Sequence, residues 1–469
     1  MSMDDAVYRL LKHRVGETYI TRNPEDRVCY SYDAAPGESF LPDAVVFPGT
    51  QAQVTDIMRL AWEKRIPVIP RGSGSGMTGG AVPVKGGLVM VLTRMNRILE
   101  IDTDNFIATV EPGVIVADLH AAVEQQGLFY PPDPASSSVC TIGGNVGECA
   151  GGPRAVKYGV TRDYVLGLQA VLPDGDIIRT GVCTAKGVAG YDLTRLIVGS
   201  EGTLAVVTRI TLRLLPKPAY VATLAVSFDD MVTAARAVSG IMRRAVIPRC
   251  VEYLDEASLS LVRDQLQFDL PAQARALLIL ELDGDEALVK TQTEQIRAFC
   301  SRAGALDMVT AGDPVQAAAL WEARKALSPV LYKIASQKLN EDIVVPISKI
   351  PDMVSRIKTI QQESGLTVVS FGHAGDGNIH CNIMYDKTDA SQAAQAPKAL
   401  DKLFAQTLAL GGPITGEHGV GLTKKAYLSW EIGDREQSIM KQIKAVFDPR
   451  QILNPGKIFF LWGFGAYLL

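Results

Sequence analysis

The segment 71–80, RGSGSGMTGG, constrains this chain more than any other stretch. Within it, Gly74-Ser-Gly76-Met-Thr-Gly79 spells the dinucleotide pattern GxGxxG. That pattern needs a helix straight after the glycines, so that its N-terminus meets a pyrophosphate. Here Ala81-Val-Pro83-Val-Lys-Gly86-Gly87 follows, a loop that feeds an apolar strand over 87–93. A doubly wound dinucleotide fold is therefore disfavoured. A P-loop is excluded, because no Gly-Lys-Ser/Thr closes the run. What remains is strand, glycine loop, strand, whose bare amides can wrap a diphosphate as backbone nests do. A tight turn built from glycines would need fewer of them.

A second run, Thr141-Ile-Gly143-Gly144-Asn145-Val-Gly147, offers amides and small side chains to a large flat ligand, and a third, VGSEGT at 198–203, leads into a strand over 204–215. Between them, strands over 165–172 and 177–180 flank a Pro-Asp-Gly hairpin turn. Upstream, Val54, Ile57, Met58, Leu60 and Ala61 recur at helical spacing over 51–65, followed by a strand over 66–70. A strand over 107–110 and a helix over 116–126 come next.

Pro216-Lys-Pro218 marks a boundary. Beyond it, strands over 222–228 and 277–282 each precede a helix, to about residues 244 and 302. A helix over 315–336, a strand over 343–346 and a helix to 363 complete an α+β region with its own sheet. A chain of 469 residues also exceeds the ~250–300 that one core usually reaches, so two domains are expected. The last twelve residues, IFFLWGFGAYLL, lack charge but fall short of the ~20 that span a bilayer. They are expected to pack on the body, a peripheral membrane or partner-subunit contact being the other reading.

With 47 basic against 51 acidic residues and 47% hydrophobic content, the chain is neither disordered nor basic enough for nucleic acid to be its main partner. Seven cysteines without a CxxC pair give no disulfide, zinc-finger or iron–sulfur framework. The segment Met1–Val15 is charged and mixed, which predicts no secretory signal. A reducing, cytoplasmic setting is expected.

Three of the five histidines fall in SFGHAGDGNIHCNI (370–383) and GGPITGEHGVG (411–421). A strand over 366–371, a turn over 374–377 and a returning strand over 379–383 would let His373 converge with His380 across the hairpin. His380 and Asn382 share one face of that returning strand, since side chains alternate. With Glu417 as a carboxylate, two imidazoles suit Zn²⁺, Fe²⁺ or Mn²⁺. His418, beside Glu417, is then a candidate general base.

PRGSGSGMTGGA (70–81), PPDPASSSVCTIGGNVGECAGG (131–152), VGSEGTL (198–204), GHAGDGNIH (372–380), GEHGVG (416–421) and NPGKIF (454–459), in this order, resemble the FAD-dependent D-2-hydroxyacid dehydrogenases. That family includes D-lactate dehydrogenases and the FAD-binding catalytic subunit of glycolate oxidase, within the vanillyl-alcohol oxidase flavoprotein superfamily. The resemblance implies an α+β, two-domain flavoprotein. Residues 1–216 would form a vanillyl-alcohol-oxidase-type FAD-binding domain. Residues 217–459 would form an α+β substrate or cap domain with the metal site and a C-terminal return to the flavin, with 460–469 as an apolar tail.

Residue by residue, Arg71, Gly72, Ser73, Gly74, Ser75, Gly76 and Gly79 would wrap the diphosphate. Pro132, Asp133, Thr141, Gly144, Asn145, Gly147, Gly152 and Asn454 would line the cofactor, with Glu201 and Val207 toward the adenosine. His373, His380 and Glu417 match metal ligands and His418 the base. Arg324 matches a substrate-carboxylate arginine, and Ser328, Lys338 and Asn382 match pocket positions. The family's usual Asn-Val-Ala-Glu-Asn-Ala-Gly-Gly carries Gly147 and Cys149 here, which bears on hydrogen bonding near the flavin. No histidine lies in either glycine-rich flavin run, so the FAD is expected to be non-covalent.

The implied reaction is metal-assisted oxidation of a D-2-hydroxyacid, D-lactate or glycolate, with electrons leaving to a quinone, a cytochrome, an electron-transferring flavoprotein or an iron–sulfur subunit. A D-2-hydroxyglutarate dehydrogenase, with Lys338 on a distal carboxylate, stays open. So do a non-catalytic FAD-binding subunit and a flavin-free metallohydrolase.

Overall fold

The structure, a computed structural model, describes residues 3–460 apart from Glu38, Ala185, Ala245 and Gln267. Residues 461–469, most of the apolar tail, lie outside the described residues. Two compact units make up the chain. One comprises Met1–Ala150, Val160–Lys217 and Glu417–Leu469, the other Gly151–Gly159 and Pro218–Gly416.

In the first unit, a four-stranded sheet runs in the order Ile20–Thr21, Ala44–Val46, Leu88–Val91, Val68–Arg71, the last three strands parallel. Strands buried on both faces read as unbroken apolar runs, which is why 87–93 stands out in the sequence. The helix Gln51–Lys64 begins at Thr50, whose side chain accepts from the Gln53 amide, and packs Val54, Ile57, Met58 and Leu60 against Val46, Val68 and Met90. A second, antiparallel sheet orders Ile98–Asp102, Ile107–Val110, Val206–Arg213, Val165–Val171 and Ile177–Gly181. The hairpin read over 165–180 is present in it.

Part of the second glycine run forms a helix, Ile142–Glu148, which its composition hides because glycine is a poor helix former. Close packing requires the glycine, since a Cβ on Gly143 would stand 2.8 Å from the Pro112 carbonyl oxygen.

The second unit is built on seven antiparallel strands in the order Asp307–Thr310, Tyr220–Phe228, Ala276–Gly284, Cys250–Leu254, Thr367–His373, Asn378–Tyr385, Gln337–Val344. The helix expected over 315–336 is broken into Pro314–Lys325, Leu327–Val330 and a 3-10 turn, Leu331–Lys333. Pro329 explains the break: its ring would clash with the carbonyl of Lys325 in a continuous helix. The following strand starts at Gln337 rather than 343, because Lys338, Glu341 and Asp342 are charged yet buried. Among the described residues, no helix is long and apolar enough to cross a membrane.

The excursion Gly151–Gly159 is fastened to this sheet. Lys157 Nζ pairs with Asp283, and the Tyr158 hydroxyl donates to Asp283 Oδ2 at 2.7 Å. Arg249 Nη1 stands 3.4 Å from the same carboxylate, whose side chain is wholly buried. Asp283→Asn is expected to destabilise the fold by about 3 kcal/mol, the usual scale for breaking a buried pair, read as a lower midpoint in urea.

Candidate active site

In the first unit, Arg71 closes a parallel strand and is buried, its Nη1 donating to the Tyr32 carbonyl at 2.7 Å. Gly74 has φ +78°, and a Cβ there would overlap the Arg71 guanidinium. The amides of Ser73, Gly74 and Ser75 donate to no carbonyl or side chain among the described residues, the condition for an anion nest. A Cβ on Gly72 would meet the Thr141 hydroxyl, so the first two glycine runs touch. Thr141 Oγ1 in turn accepts from the Gly144 amide at 3.1 Å.

Asn145 is buried in the short helix, and the carbonyl of Gly147 accepts from the Glu201 amide at 2.8 Å. Cys149 caps that helix at φ +57°, a left-handed position that suits glycine or asparagine better than cysteine. The Pro132 carbonyl meets His120 Nε2 at 3.0 Å, and Asp133 is half-buried beside it. Val207 pairs with Ala170 in the antiparallel sheet. Gly152 falls in the second unit with Gly151, whereas Gly143, Gly144 and Gly147 belong to the first.

The loop carrying Glu417 and His418 is tied down from two sides. Thr78 Oγ1 donates to the His418 carbonyl at 3.0 Å, and the Glu201 carboxylate accepts the amides of Val420 at 2.8 Å and Gly421 at 2.7 Å. Burial pushes the Glu201 carboxyl up, and its backbone sits at φ +53°. Asn454 Nδ2 donates to the carbonyls of Gly80 at 2.9 Å and Glu201 at 2.8 Å, while its Oδ1 accepts from Lys457 Nζ at 3.1 Å. Glu201 and Asn454 thus hold loops together. His418 Nε2 lies 3.8 Å from Glu417 Oε1.

The second unit brings the imidazoles together. In the antiparallel ladder His373 faces Asn378 and Phe371 faces His380, which leaves the two histidines diagonal on one face. Their Nε2 atoms stand 3.3 Å apart, and both side chains are buried. Behind them His373 Nδ1 meets Glu252 Oε1 at 2.5 Å. Arg324 donates through Nε and Nη2 to Glu252 Oε2, both at 2.8 Å, with its guanidinium 4.6 Å from the Phe371 ring centroid.

Leu320, Ala323 and Arg324 are the buried residues of helix Pro314–Lys325, at the spacing that turns one face to the sheet. Lys338 Nζ donates to Ser328 Oγ at 2.8 Å, and burial lowers the lysine's pKa. Asn382, on the face of His380, is buried, and its Oδ1 has no partner among the described residues. Asp342, opposite His380 in the ladder, accepts the amide of Gly416 at 2.9 Å, and Glu417 is the next residue in the chain.

Glu252 and Asp342 escape sequence reading, because their partners are set by strand register. The signal for Glu252 is a lone charge in CVEYL, a strand buried at every position. As for chemistry, two acceptor nitrogens at this spacing fit one cation, since ligands about 2.05 Å from a tetrahedral ion stand about 3.3 Å apart.

Two outcomes follow from the first unit. Gly74→Ala forces a side chain to φ +78° against Arg71, a strain of about 1–3 kcal/mol, and should lower the flavin bound per chain in the visible spectrum. Burial lowers Lys457 from 10.5 to about 8. Its protonated form therefore burdens the folded state below that value, by about 3 kcal/mol, and the burden lifts as pH rises toward the unfolded value. The urea midpoint of the wild type should accordingly gain on that of Lys457→Met between about pH 8 and 10.5.

Two family models match the chain: FAD binding domain over residues 42–181, and FAD linked oxidases, C-terminal domain, over 217–458. The chain is 46% identical over 433 residues to glycolate oxidase subunit GlcD of Bacillus subtilis (strain 168), covering 92% of each. It is 37% identical over 429 residues to a D-lactate dehydrogenase of Anaerostipes hadrus, covering 89% of each. Among solved structures, p-cresol methylhydroxylase aligns over 97% of both chains with a TM-score of 0.80 at 19% identity, which shows a shared fold. That fold is the two-domain vanillyl-alcohol-oxidase type. Family models and relatives together cover nearly the whole chain, which belongs to the FAD-linked oxidase family and is an FAD-dependent oxidoreductase.

Proposed function

We propose that this oxidoreductase oxidises the α-carbon of a small D-2-hydroxyacid, D-lactate or glycolate, to the 2-oxoacid and passes the electrons to a separate acceptor. The observation that carries this reading is the buried His373–His380 pair, with Nε2 atoms 3.3 Å apart. The substrate class draws on the glycolate oxidase and D-lactate dehydrogenase relatives.

FAD supplies the redox chemistry, held non-covalently by Arg71–Gly76, Gly79 and the run from Thr141 to Gly147 within a domain over 1–216. A divalent cation, Zn²⁺, Fe²⁺ or Mn²⁺, would supply Lewis acidity when held by His373, His380 and Glu417. The substrate domain spans 217–459, its C-terminal return to the flavin being the part from Glu417 that belongs to the first unit. His373 and His380 are the first two ligands. Glu417 is the third, because it follows Gly416, whose amide is pinned to the residue opposite His380. His418 takes the hydroxyl proton. Arg324 holds the substrate carboxylate, Ser328 and Lys338 occupy pocket positions, and Asn382 offers its Oδ1 from the face of His380.

Lys338, like Arg324 a buried cation of this unit, favours D-2-hydroxyglutarate as the alternative substrate. The GlcD relatives are named as subunits, which favours a partner subunit as the acceptor over a free quinone, cytochrome or electron-transferring flavoprotein.

Anaerobic visible spectra test the reading. Flavin bands should bleach with D-lactate or glycolate and persist with L-lactate; persistence with all three, and with D-2-hydroxyglutarate, contradicts it. His418→Ala should slow bleaching by about 10²–10⁴-fold with the flavin retained, and near-normal bleaching removes the base assignment. Dialysis against a chelator should stop bleaching while leaving the flavin bound, and unchanged bleaching removes the cation.

A further inference from the structure

We infer that Glu252 is a positioning residue that sets the tautomer of His373 and the orientation of Arg324 together, joining the cation side of the site to its substrate-carboxylate side. The cation arm of this inference rests on the reading above; the tautomer arm does not.

The register creates the arrangement. Glu252 lies directly opposite His373 in the ladder between Cys250–Leu254 and Thr367–His373. Its side chain is completely buried. A charge there is retained only with partners, and it has two on separate oxygens. Oε1 takes His373 Nδ1 at 2.5 Å, and Oε2 takes Arg324 Nε and Nη2 at 2.8 Å.

A carboxylate that already accepts two guanidinium N–H groups is an acceptor toward the imidazole as well, so the proton of neutral His373 sits on Nδ1. Its Nε2 lone pair then points to His380 Nε2, 3.3 Å away. In the reverse tautomer two lone pairs would face each other at 2.5 Å, and an N–H would fill the gap between the imidazoles. Glu252 therefore decides whether that gap is lined by acceptors. Outer carboxylates that accept from the second ring nitrogen of a ligand histidine typically change metal affinity by ~10–100-fold.

The same carboxylate limits Arg324. With Nε and Nη2 both held, and Phe371 against its guanidinium, the arginine is fixed in one orientation. Phe371 also lies 5.7 Å from His380, centroid to centroid, so one aromatic ring contacts both halves. An ion pair with no further role would not care which nitrogen of His373 carries the proton.

Three full-length, flavin-loaded proteins test this: wild type, Arg324→Met, and Arg324→Met combined with Glu252→Leu. The double variant replaces the buried pair with apolar side chains, so no orphaned charge threatens folding. Melting followed by circular dichroism checks that all three are folded, Arg324→Met above all, since it leaves Glu252 without its guanidinium. Histidine-labelled ¹⁵N spectra are tractable because the chain has five histidines, and His373→Asn identifies the relevant signals. Metal-free wild type and Arg324→Met should show His373 protonated at Nδ1, and the double variant should lose that preference. Zinc titration against a chromogenic chelator should show ~10–100-fold weaker binding in the double variant alone. A double variant that keeps the Nδ1 proton overturns the inference, as does equal zinc affinity in Arg324→Met and the double variant. Wild type that takes up no zinc contradicts the cation reading, and the tautomer signal then decides the inference by itself.

Discussion

A carboxylate with no exposed surface, opposite an imidazole in an antiparallel ladder, is the interaction on which the chemistry of the second unit depends. Glu252 costs free energy to bury, and the helix Pro314–Lys325 offsets it by delivering Arg324 to one oxygen while His373 occupies the other. The rest follows from strand geometry. Once His373 is fixed, the hairpin register sets His380 diagonally across from it, and Asn382 two residues further on the same face. Asp342, opposite His380, then pins the chain at Gly416. Shifting that hairpin by one residue would send His380 and Asn382 to the other face of the sheet.

The first unit solves a different problem, that of keeping several loops in place without regular structure. Asn454 and Glu201 do this with side chains that bond backbone groups far away in sequence: Asn454 reaches Gly80, and Glu201 reaches Val420 and Gly421. Both residues adopt positive φ, a conformation uncommon outside glycine that persists where the surroundings over-determine it. The NPGK motif therefore acts on the glycine loop at 71–80, and VGSEG on the loop at 420–421, through carbonyls and amides.

What could be read from the sequence was what repeats locally. The helix 51–64, the hairpin over 165–181 and the strands flanking the glycine loop follow from periodicity and turn chemistry. The convergence of His373 with His380 followed from the period of a hairpin seven residues apart. The helix 142–148 stayed hidden because capping by Thr141 and contact with Pro112 override three poor helix formers. The strand 337–344 stayed hidden because its charges find partners only in the folded sheet. Glu252 lies 121 residues from His373, and no local pattern relates the two. Pro329 is visible in the sequence as a breaker of the expected 315–336 helix, although the first segment already ends at Lys325.

The most direct test of the central claim is anomalous diffraction at the zinc edge from crystals of the flavin-loaded protein grown with zinc. The predicted result is a single strong peak about 2.1 Å from Nε2 of both His373 and His380. A map without a peak between the two imidazoles, their nitrogens joined by a direct hydrogen bond instead, would contradict the cation site and the chemistry assigned to it.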